Sequence, residues 1–243
     1  MPDAPRRWVD DADDDPVDLL EPTYDPSGAA RRLTRAAGLA LVGLLVAAAA
    51  GLWSVLTYAD RGAGDTVRHL PRPGAHCAGD GSCWTSSYTV HFLLRADLPI
   101  VLAVLLCAAP FIWWHVTVDR AARELGDGLD SPDWGPLGGW FVPVFNLKVP
   151  IVSIRELALV HGSDLAARAA IGWWGLGALG VGIEAIVLNA QHHSKDLNAI
   201  DRSGMAAGCS LAASALLAVV VVADLTAATK ARLESPDVAA DPT

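Results

Sequence analysis

The chain has 243 residues, 52% of them hydrophobic, and its mean hydropathy is +0.34. These values exclude an ordinary soluble domain and favour one membrane domain with polar ends. The formal net charge of −9 argues against nucleic acid as a partner, because a phosphate backbone attracts clustered lysine and arginine.

The acidic charge is concentrated at the N-terminus. Residues 1–28 hold nine acidic side chains against only Arg6 and Arg7. A segment so acidic and so poor in core-forming residues does not repay the entropy of ordering. The composition therefore predicts a disordered, cytoplasmic tail over residues 1–30, which is either an interaction tail or a solvated extension.

The first predicted span covers residues 36–58. These 23 uncharged residues follow Arg35 and suffice to cross a hydrocarbon core, which needs about 20 residues of helix. A cleaved signal peptide is the alternative, but its apolar core has only about 7–15 residues behind a short basic start. The longer run behind an acidic leader favours a span.

A polar connection, residues 59–97, follows the first span and contains Cys77 and Cys83. The glycines between the two cysteines permit a tight closure, and an oxidising compartment would favour a disulfide. A metal site is the weaker interpretation, because no further ligands stand at zinc spacing. We expect a disulfide and no bound metal.

The second predicted span covers residues 98–118 and continues as helix to Gly126, a helix-ending residue. It carries His115 close to two tryptophans. A histidine inside a span is a candidate proton carrier. The alternative is a packing residue at the interface.

Residues 138–160 are largely apolar but do not form a predicted span. Pro143 and Pro150 each remove a helix hydrogen bond, and the uninterrupted apolar part is too short to cross the membrane. Broken backbone at that depth requires a protein cover or a wet cavity. We therefore predict a re-entrant or interfacial segment, with Asn146 either bonding the freed carbonyls or contacting a ligand. Its second half should be helical, with Gly162 ending that helix and Ser163 capping the next one.

The third and fourth predicted spans cover residues 169–190 and 205–223, and a disordered tail follows at 229–243. Five glycines in the third span allow close approach of a neighbouring helix. Glu184 is a carboxylate inside that span, which marks a possible intramembrane polar site. Its position near the end of the span leaves simple hydration as the alternative.

The fold class expected from these elements is an all-α integral membrane protein with one domain over residues 31–228. Its four transmembrane helices pack around the proline-broken segment. With the N-terminus in the cytoplasm, twelve lysine and arginine residues fall on the inner side and six on the outer side. The positive-inside rule then places both termini in the cytoplasm and the cysteine loop outside.

The order of several motifs along the chain resembles that of a known family. The run Trp-Phe-x-Pro-x-x-Asn-Leu-x-x-Pro begins at Trp140, and it lies between Phe111-Ile-Trp-Trp and Gly172-Trp-Trp. This order is similar to a bacterial family of small polytopic membrane proteins that is known only as a domain of unknown function. The resemblance covers about residues 98–228. It implies four spans in a bacterial cell membrane and brings no established activity.

No nucleophile with its base, phosphate-binding glycine loop or close carboxylate pair is evident, so we expect neither an enzyme nor a cofactor. Three hypotheses remain. The first is a non-enzymatic membrane module that binds a lipid or a partner protein at its cytoplasmic face. The second is a small transporter or channel subunit in which the broken segment lines the path and Glu184 or Lys148 binds the solute. The third is a membrane-embedded enzyme using His115 or Glu184. The contact residues expected for the first hypothesis are Trp140, Pro143, Asn146, Lys148, Pro150 and Arg155.

Overall fold

The computed structural model describes residues 25–64, 76–77, 83–84, 98–130, 138–140, 148–193 and 197–235. In chain order its elements are α1 (Pro26–Gly64), β1 (His76–Cys77), β2 (Cys83–Trp84), α2 (Leu98–Glu124), α3 (Val149–Val160), α4 (Asp164–His193) and α5 (Leu197–Leu233). The described part of the chain is thus helical apart from one short antiparallel strand pair and the turns between elements.

Four of the helices in the described part of the chain are long and apolar enough to cross a membrane. The qualifying stretches are Ser27–Asp60, Leu98–Glu124, Asp164–Val187 and Asp201–Leu233. They correspond to α1, α2, α4 and α5, so the four predicted spans are confirmed. The chain is a multi-pass membrane protein by the length and composition of these helices.

The helices extend beyond the predicted spans. Asp25 precedes α1, accepts a hydrogen bond from the Ser27 hydroxyl at 2.7 Å, and its carbonyl receives the Ala29 N–H at 3.0 Å. A proline that follows a capping aspartate suits a helix start, so α1 begins at Pro26, inside the predicted tail of residues 1–30. At the other end of the chain, α5 continues to Leu233, past the predicted boundary at 229.

Helix α5 packs against both α1 and α4, and α2 packs against α1. The Trp114 indole N–H of α2 also donates to the Thr226 hydroxyl of α5 at 2.9 Å. Contact between α1 and α5 is close at Gly51 and Gly208. A Cβ added to Gly51 would lie 2.9 Å from the Gly208 carbonyl oxygen. Glycine at both positions therefore lets two backbones meet, as small residues do in membrane bundles.

The predicted glycine-mediated approach of the third span to a neighbour occurs along α5. Added Cβ atoms at Gly172, Gly177 and Gly180 would meet Leu217, Ser214 and Leu211, respectively. Gly175 and Gly182 face open space instead. Three of the five glycines thus form the α4–α5 contact.

The antiparallel helices bring the N-termini of α1 and α4 and the C-termini of α2 and α5 to one end of the bundle, which we call the termini end.

Helices α2 and α3 both end at a glycine with positive φ. Gly126 and Gly162 have φ of 77° and 72°, and Asp127 N and Ser163 N return to the carbonyls of Ala122 and Ala158 at 3.1 and 2.7 Å. Both glycines end their helices as C-terminal caps do.

The 12-residue helix α3 is too short to span and lies beside the termini-end half of α2. Its Ser153 meets His115, and the turn after α3 meets Asp127 just beyond α2. The two contacts show that α3 runs alongside α2 toward the termini end. Since α3 also packs against α4, it fills the gap between α2 and α4.

We define residues 125–163 as the connecting segment. It leaves α2 and enters α4 at the termini end, and its described residues between these points reach into the bundle. His115 lies nine residues before the end of α2, which corresponds to about 14 Å at about 1.5 Å per residue. Trp140 and Ser153 reach this level because both hydrogen-bond to His115.

Two further regions bear on the sequence predictions. Helices α4 and α5 leave only residues 194–196 between them, so most of the predicted loop between the third and fourth spans is helical. In the strand pair, Cys77 lies opposite Cys83. Their side chains are outside the described part of the chain, and the disulfide stays a prediction.

Candidate functional site

The first polar contact inside the bundle joins the connecting segment to α2 through His115. The Trp140 indole N–H donates to His115 Nδ1 at 3.2 Å, and His115 Nε2 lies 3.1 Å from Ser153 Oγ. His115 and Ser153 are fully buried. The chain of bonds therefore ties two parts of the connecting segment to one side chain of α2.

These bonds fix the tautomer of His115. An indole N–H can only donate a hydrogen bond, so Nδ1 must carry a lone pair and accept. The ring proton then resides on Nε2 and is donated to the Ser153 hydroxyl. His115 is consequently a neutral bridging residue in this arrangement.

An aromatic cluster surrounds this contact and closes the space between α2 and α4. Phe111 of α2 lies 5.2 Å from Trp114, 5.7 Å from Trp140 and 5.2 Å from Trp173 of α4, measured between ring centroids. Trp174 continues the cluster at 5.6 Å from Trp173. Tilted and edge-on rings at such distances attract one another beyond simple area burial.

A second polar group, the Asp127 cluster, lies at the termini end and consists of Asp127, His161, Thr229 and Arg232. The Arg232 guanidinium donates two hydrogen bonds, of 2.7 and 2.8 Å, to the two carboxylate oxygens of Asp127. Such a bidentate pair is the strongest common form of ion pair. It ties the segment after α2 to the last turn of α5.

His161 is buried within the Asp127 cluster. Its Nδ1 lies 3.5 Å from Thr229 Oγ1, while its Nε2 lies 3.5 Å from Asp127 Oδ2 and has no hydrogen-bond partner among the described residues. Burial first, and the Arg232 guanidinium second, lower the pKa of His161 against the opposite effect of Asp127. The neutral ring is therefore favoured in the folded protein.

A third polar contact anchors the start of α4. Ser163 accepts the Ala166 N–H at 3.2 Å, and the Asp224 carboxylate of α5 accepts the same N–H at 3.1 Å and the Ser163 hydroxyl. A carboxylate at a helix N-terminus is stabilised by the helix dipole. The predicted cap at Ser163 is thus present, and Asp224 reinforces it from another helix.

The outward side of α3 carries two cations. Lys148, Val152, Arg155 and Leu159 are all exposed, and their spacing of four, three and four residues places them on one stripe. Glu156 is turned away from it, because its carboxylate accepts the backbone N–H of Asp130. The stripe therefore combines two positive charges and two apolar side chains without an acid.

The structure brings together some of the predicted site residues and separates others. Trp140 meets His115, and Pro150 is buried beside Gly139, where an added Cβ would lie 3.6 Å from its ring. Lys148 and Arg155 share the exposed side of α3. Pro143 and Asn146 lie outside the described residues.

Glu184 is remote from this group. It lies twenty residues into α4, about 30 Å from the termini end by helix rise, whereas His115 lies about 14 Å from that end. The two residues proposed for an enzyme or a proton path are therefore not neighbours. Glu184 is half-buried near the opposite end of the bundle.

Sequence reasoning missed the Asp127 cluster and the role of Ser153. Asp127 and Arg232 are 105 positions apart, and nothing local marks them as partners. A weak signal was available, because Asp127 and His161 flank the two helix-ending glycines, Gly126 and Gly162, that the sequence does identify. Within the described residues, no group of three or more histidine, cysteine, aspartate or glutamate side chains could hold a metal ion.

Residues 81–228 match the family described as Domain of unknown function (DUF4328). The chain belongs to this family. The DUF4328 match contains α2 to α4 and most of α5, and with them the Trp140–His115–Ser153 contact. It leaves α1 and Arg232 outside. No curated protein and no solved structure matches the chain.

Proposed function

We propose that the protein is a non-enzymatic membrane module that binds anionic phospholipid through the exposed side of α3 at its cytoplasmic face. The observation that carries the proposal is the stripe of Lys148, Val152, Arg155 and Leu159. An anionic lipid offers both a negative headgroup and an acyl chain. Alternating cations and apolar side chains suit the boundary between these two parts.

The chemistry of the stripe supports a lipid of this class. Val152 and Leu159 are 48% and 50% exposed, so about half of each side chain is available to an acyl chain. Lysine and arginine near an anionic leaflet each contribute about 1 kcal/mol of attraction. Because Glu156 bonds the Asp130 backbone, its charge does not point to this surface.

The location supports a cytoplasmic face. The stripe runs along α3 from Lys148, its deepest residue, toward the end of the bundle that also holds the start of α1 and the end of α5. The excess of lysine and arginine on that side favours the cytoplasm under the positive-inside rule. Trp140, which we had expected at the contact surface, packs inside the aromatic cluster, so the proposal rests on Lys148 and Arg155.

The test uses the full chain in neutral detergent with phosphatidylglycerol or phosphatidylcholine added, and native mass spectrometry counts retained lipids. We expect preferential retention of phosphatidylglycerol. Replacing both Lys148 and Arg155 by glutamine should weaken retention about thirtyfold, which corresponds to about 1 kcal/mol for each charge. Arg202→Gln is the control, because Arg202 is exposed on α5 near the opposite end.

Two results would contradict lipid binding at this surface. One is equal retention of the two lipids by the wild type. The other is unchanged retention of phosphatidylglycerol by the double variant while both variants remain folded.

A transporter subunit is a second candidate. The half-length helix α3 starts deep in the bundle, as the discontinuous helices of transporters do. Solute flux in proteoliposomes that is abolished by Lys148→Gln would favour this function. The absence of flux for ions and small solutes of either charge would argue against it.

A further inference from the structure

In the Asp127 cluster, a lone pair of His161 faces the Asp127 carboxylate, and one proton on that nitrogen would turn the repulsion into attraction. The Thr229 hydroxyl donates to the Leu225 carbonyl at 2.8 Å, so only its lone pairs face the histidine. His161 Nδ1 must then carry the ring proton, because Thr229 Oγ1 can only accept a hydrogen bond from it. The lone pair of Nε2 is left 3.5 Å from the Asp127 carboxylate.

This nitrogen is buried and has no hydrogen-bond partner among the described residues. Burying a polar atom without a partner costs free energy, and here the nearest group is also electron-rich. Protonation of Nε2 would make it a donor to Asp127. The same proton would place a second cation beside Arg232, which already occupies both oxygens of that carboxylate.

The charged groups that act on His161 come from two neighbouring elements. Asp127 faces it from the segment after α2, and Arg232 faces it from α5. Helix α3 contributes the Leu157 carbonyl, which accepts the His161 backbone N–H at 3.0 Å. Asp224 of α5 is the nearby acid at the start of α4, where Ser163 and the Ala166 N–H engage it.

We propose that His161, Asp127 and Arg232 form a proton-operated latch, which holds the turn between α3 and α4 against α5 and releases it when His161 takes up a proton. In the closed latch His161 is neutral and buried, and Arg232 bridges Asp127 to α5. Once His161 is charged, it competes with Arg232 for one carboxylate in a buried site. Hydration of the imidazolium then favours an open turn. The latch does not depend on lipid binding.

The direction in which pH changes the opening of the latch follows from proton linkage. Burial and Arg232 lower the pKa of His161 in the closed turn, whereas an exposed histidine has a pKa of about 6.5. Above that pH neither state binds the proton, and the turn stays closed. Below it only the open state binds the proton readily, so the opening equilibrium rises by up to about tenfold per pH unit.

Hydrogen exchange of the full chain in detergent micelles measures this opening. The reporter amides are Asp127 N–H and Ser163 N–H, which close the two helix ends next to the latch. Wild type and His161→Gln are compared at each pH from 7.5 to 5. The ratio of their rates cancels the intrinsic pH dependence of exchange, and glutamine supplies an N–H donor that cannot become charged.

We expect the ratio at these two amides to rise toward tenfold per pH unit below about pH 6.5, and to remain constant at amides in the middle of α5. His161→Asn provides a second uncharged reference if the glutamine variant folds poorly. His192→Gln, at the far end of α4, should behave as wild type. A ratio that stays constant from pH 7.5 to 5, or one that rises equally throughout the bundle, would overturn the latch.

Discussion

The close contact between α1 and α5 makes a strong prediction for Gly51→Ala. The new Cβ would lie 2.9 Å from the Gly208 carbonyl oxygen, 3.0 Å from the Ala212 nitrogen and 3.1 Å from the Ala212 Cβ. Two of these atoms belong to the α5 backbone. A side-chain rotation therefore cannot relieve the clash, and the two helices must move apart.

The magnitude follows from two opposing effects. Overpacking a close contact costs about 1–3 kcal/mol, whereas alanine in place of glycine favours a helix by about 0.5–1 kcal/mol. We expect a net decrease of about 1–2 kcal/mol in the free energy of unfolding, with the clash as the larger effect. Gly182→Ala is the matched control, because nothing lies within 4 Å of its added Cβ.

The assay is reversible unfolding in mixed micelles, followed by circular dichroism as the denaturing detergent increases. Gly51→Ala should unfold at a lower denaturant fraction than the wild type, and Gly182→Ala at an equal or higher one. Gly208→Ala approaches the same contact from α5, where its Cβ would lie 2.9 Å from the Gly51 carbonyl oxygen. The double variant should lose less than the sum of the single losses, because the first substitution already separates the helices.

If Gly51→Ala proves as stable as Gly182→Ala, the two backbones do not approach as described. Additive losses in the double variant would also contradict the argument, because they would indicate two independent contacts.

Three further predictions concern the other anchors of the bundle. Trp140→Phe removes the indole donor and leaves a buried histidine acceptor unpaired, so the free energy of unfolding should fall by about 1–3 kcal/mol. Its control, Trp113→Phe on the exposed side of α2, should change the free energy of unfolding little. Ser163→Ala removes the cap of α4 and should cost about 0.5–2 kcal/mol in the same unfolding assay. Cys77 and Cys83, which lie opposite each other in the strand pair, should appear as one disulfide-linked peptide in non-reducing mass spectrometry of protein isolated from membranes.

Each of these predictions has a definite contrary result. Equal losses for the two tryptophan variants would show that the indole N–H is not an anchor. A serine-to-alanine change without effect would show that the carboxylate from α5 caps α4 alone. Full alkylation of both cysteines without prior reduction would exclude the disulfide.

The sequence by itself determined the number of spans and the ends of the helices beside the connecting segment. Four long apolar stretches can satisfy their backbone only as helices in a membrane. Gly126 and Gly162 end α2 and α3 because glycine adopts positive φ without a steric cost. These are local properties of the chain, and the structure shows both. The match to the family agrees with the resemblance carried by the tryptophan and proline motif.

Only the tertiary structure decided which side chains meet. It turns Trp140 inward to His115 and pairs Asp127 with Arg232, which lies 105 positions later in the chain. The physical reason is that a spanning helix is apolar on nearly every side, so its hydrophobic pattern does not specify how it is rotated or which helix it meets. Close packing of glycines and the pairing of buried polar groups set those choices, and both depend on residues far apart in the chain.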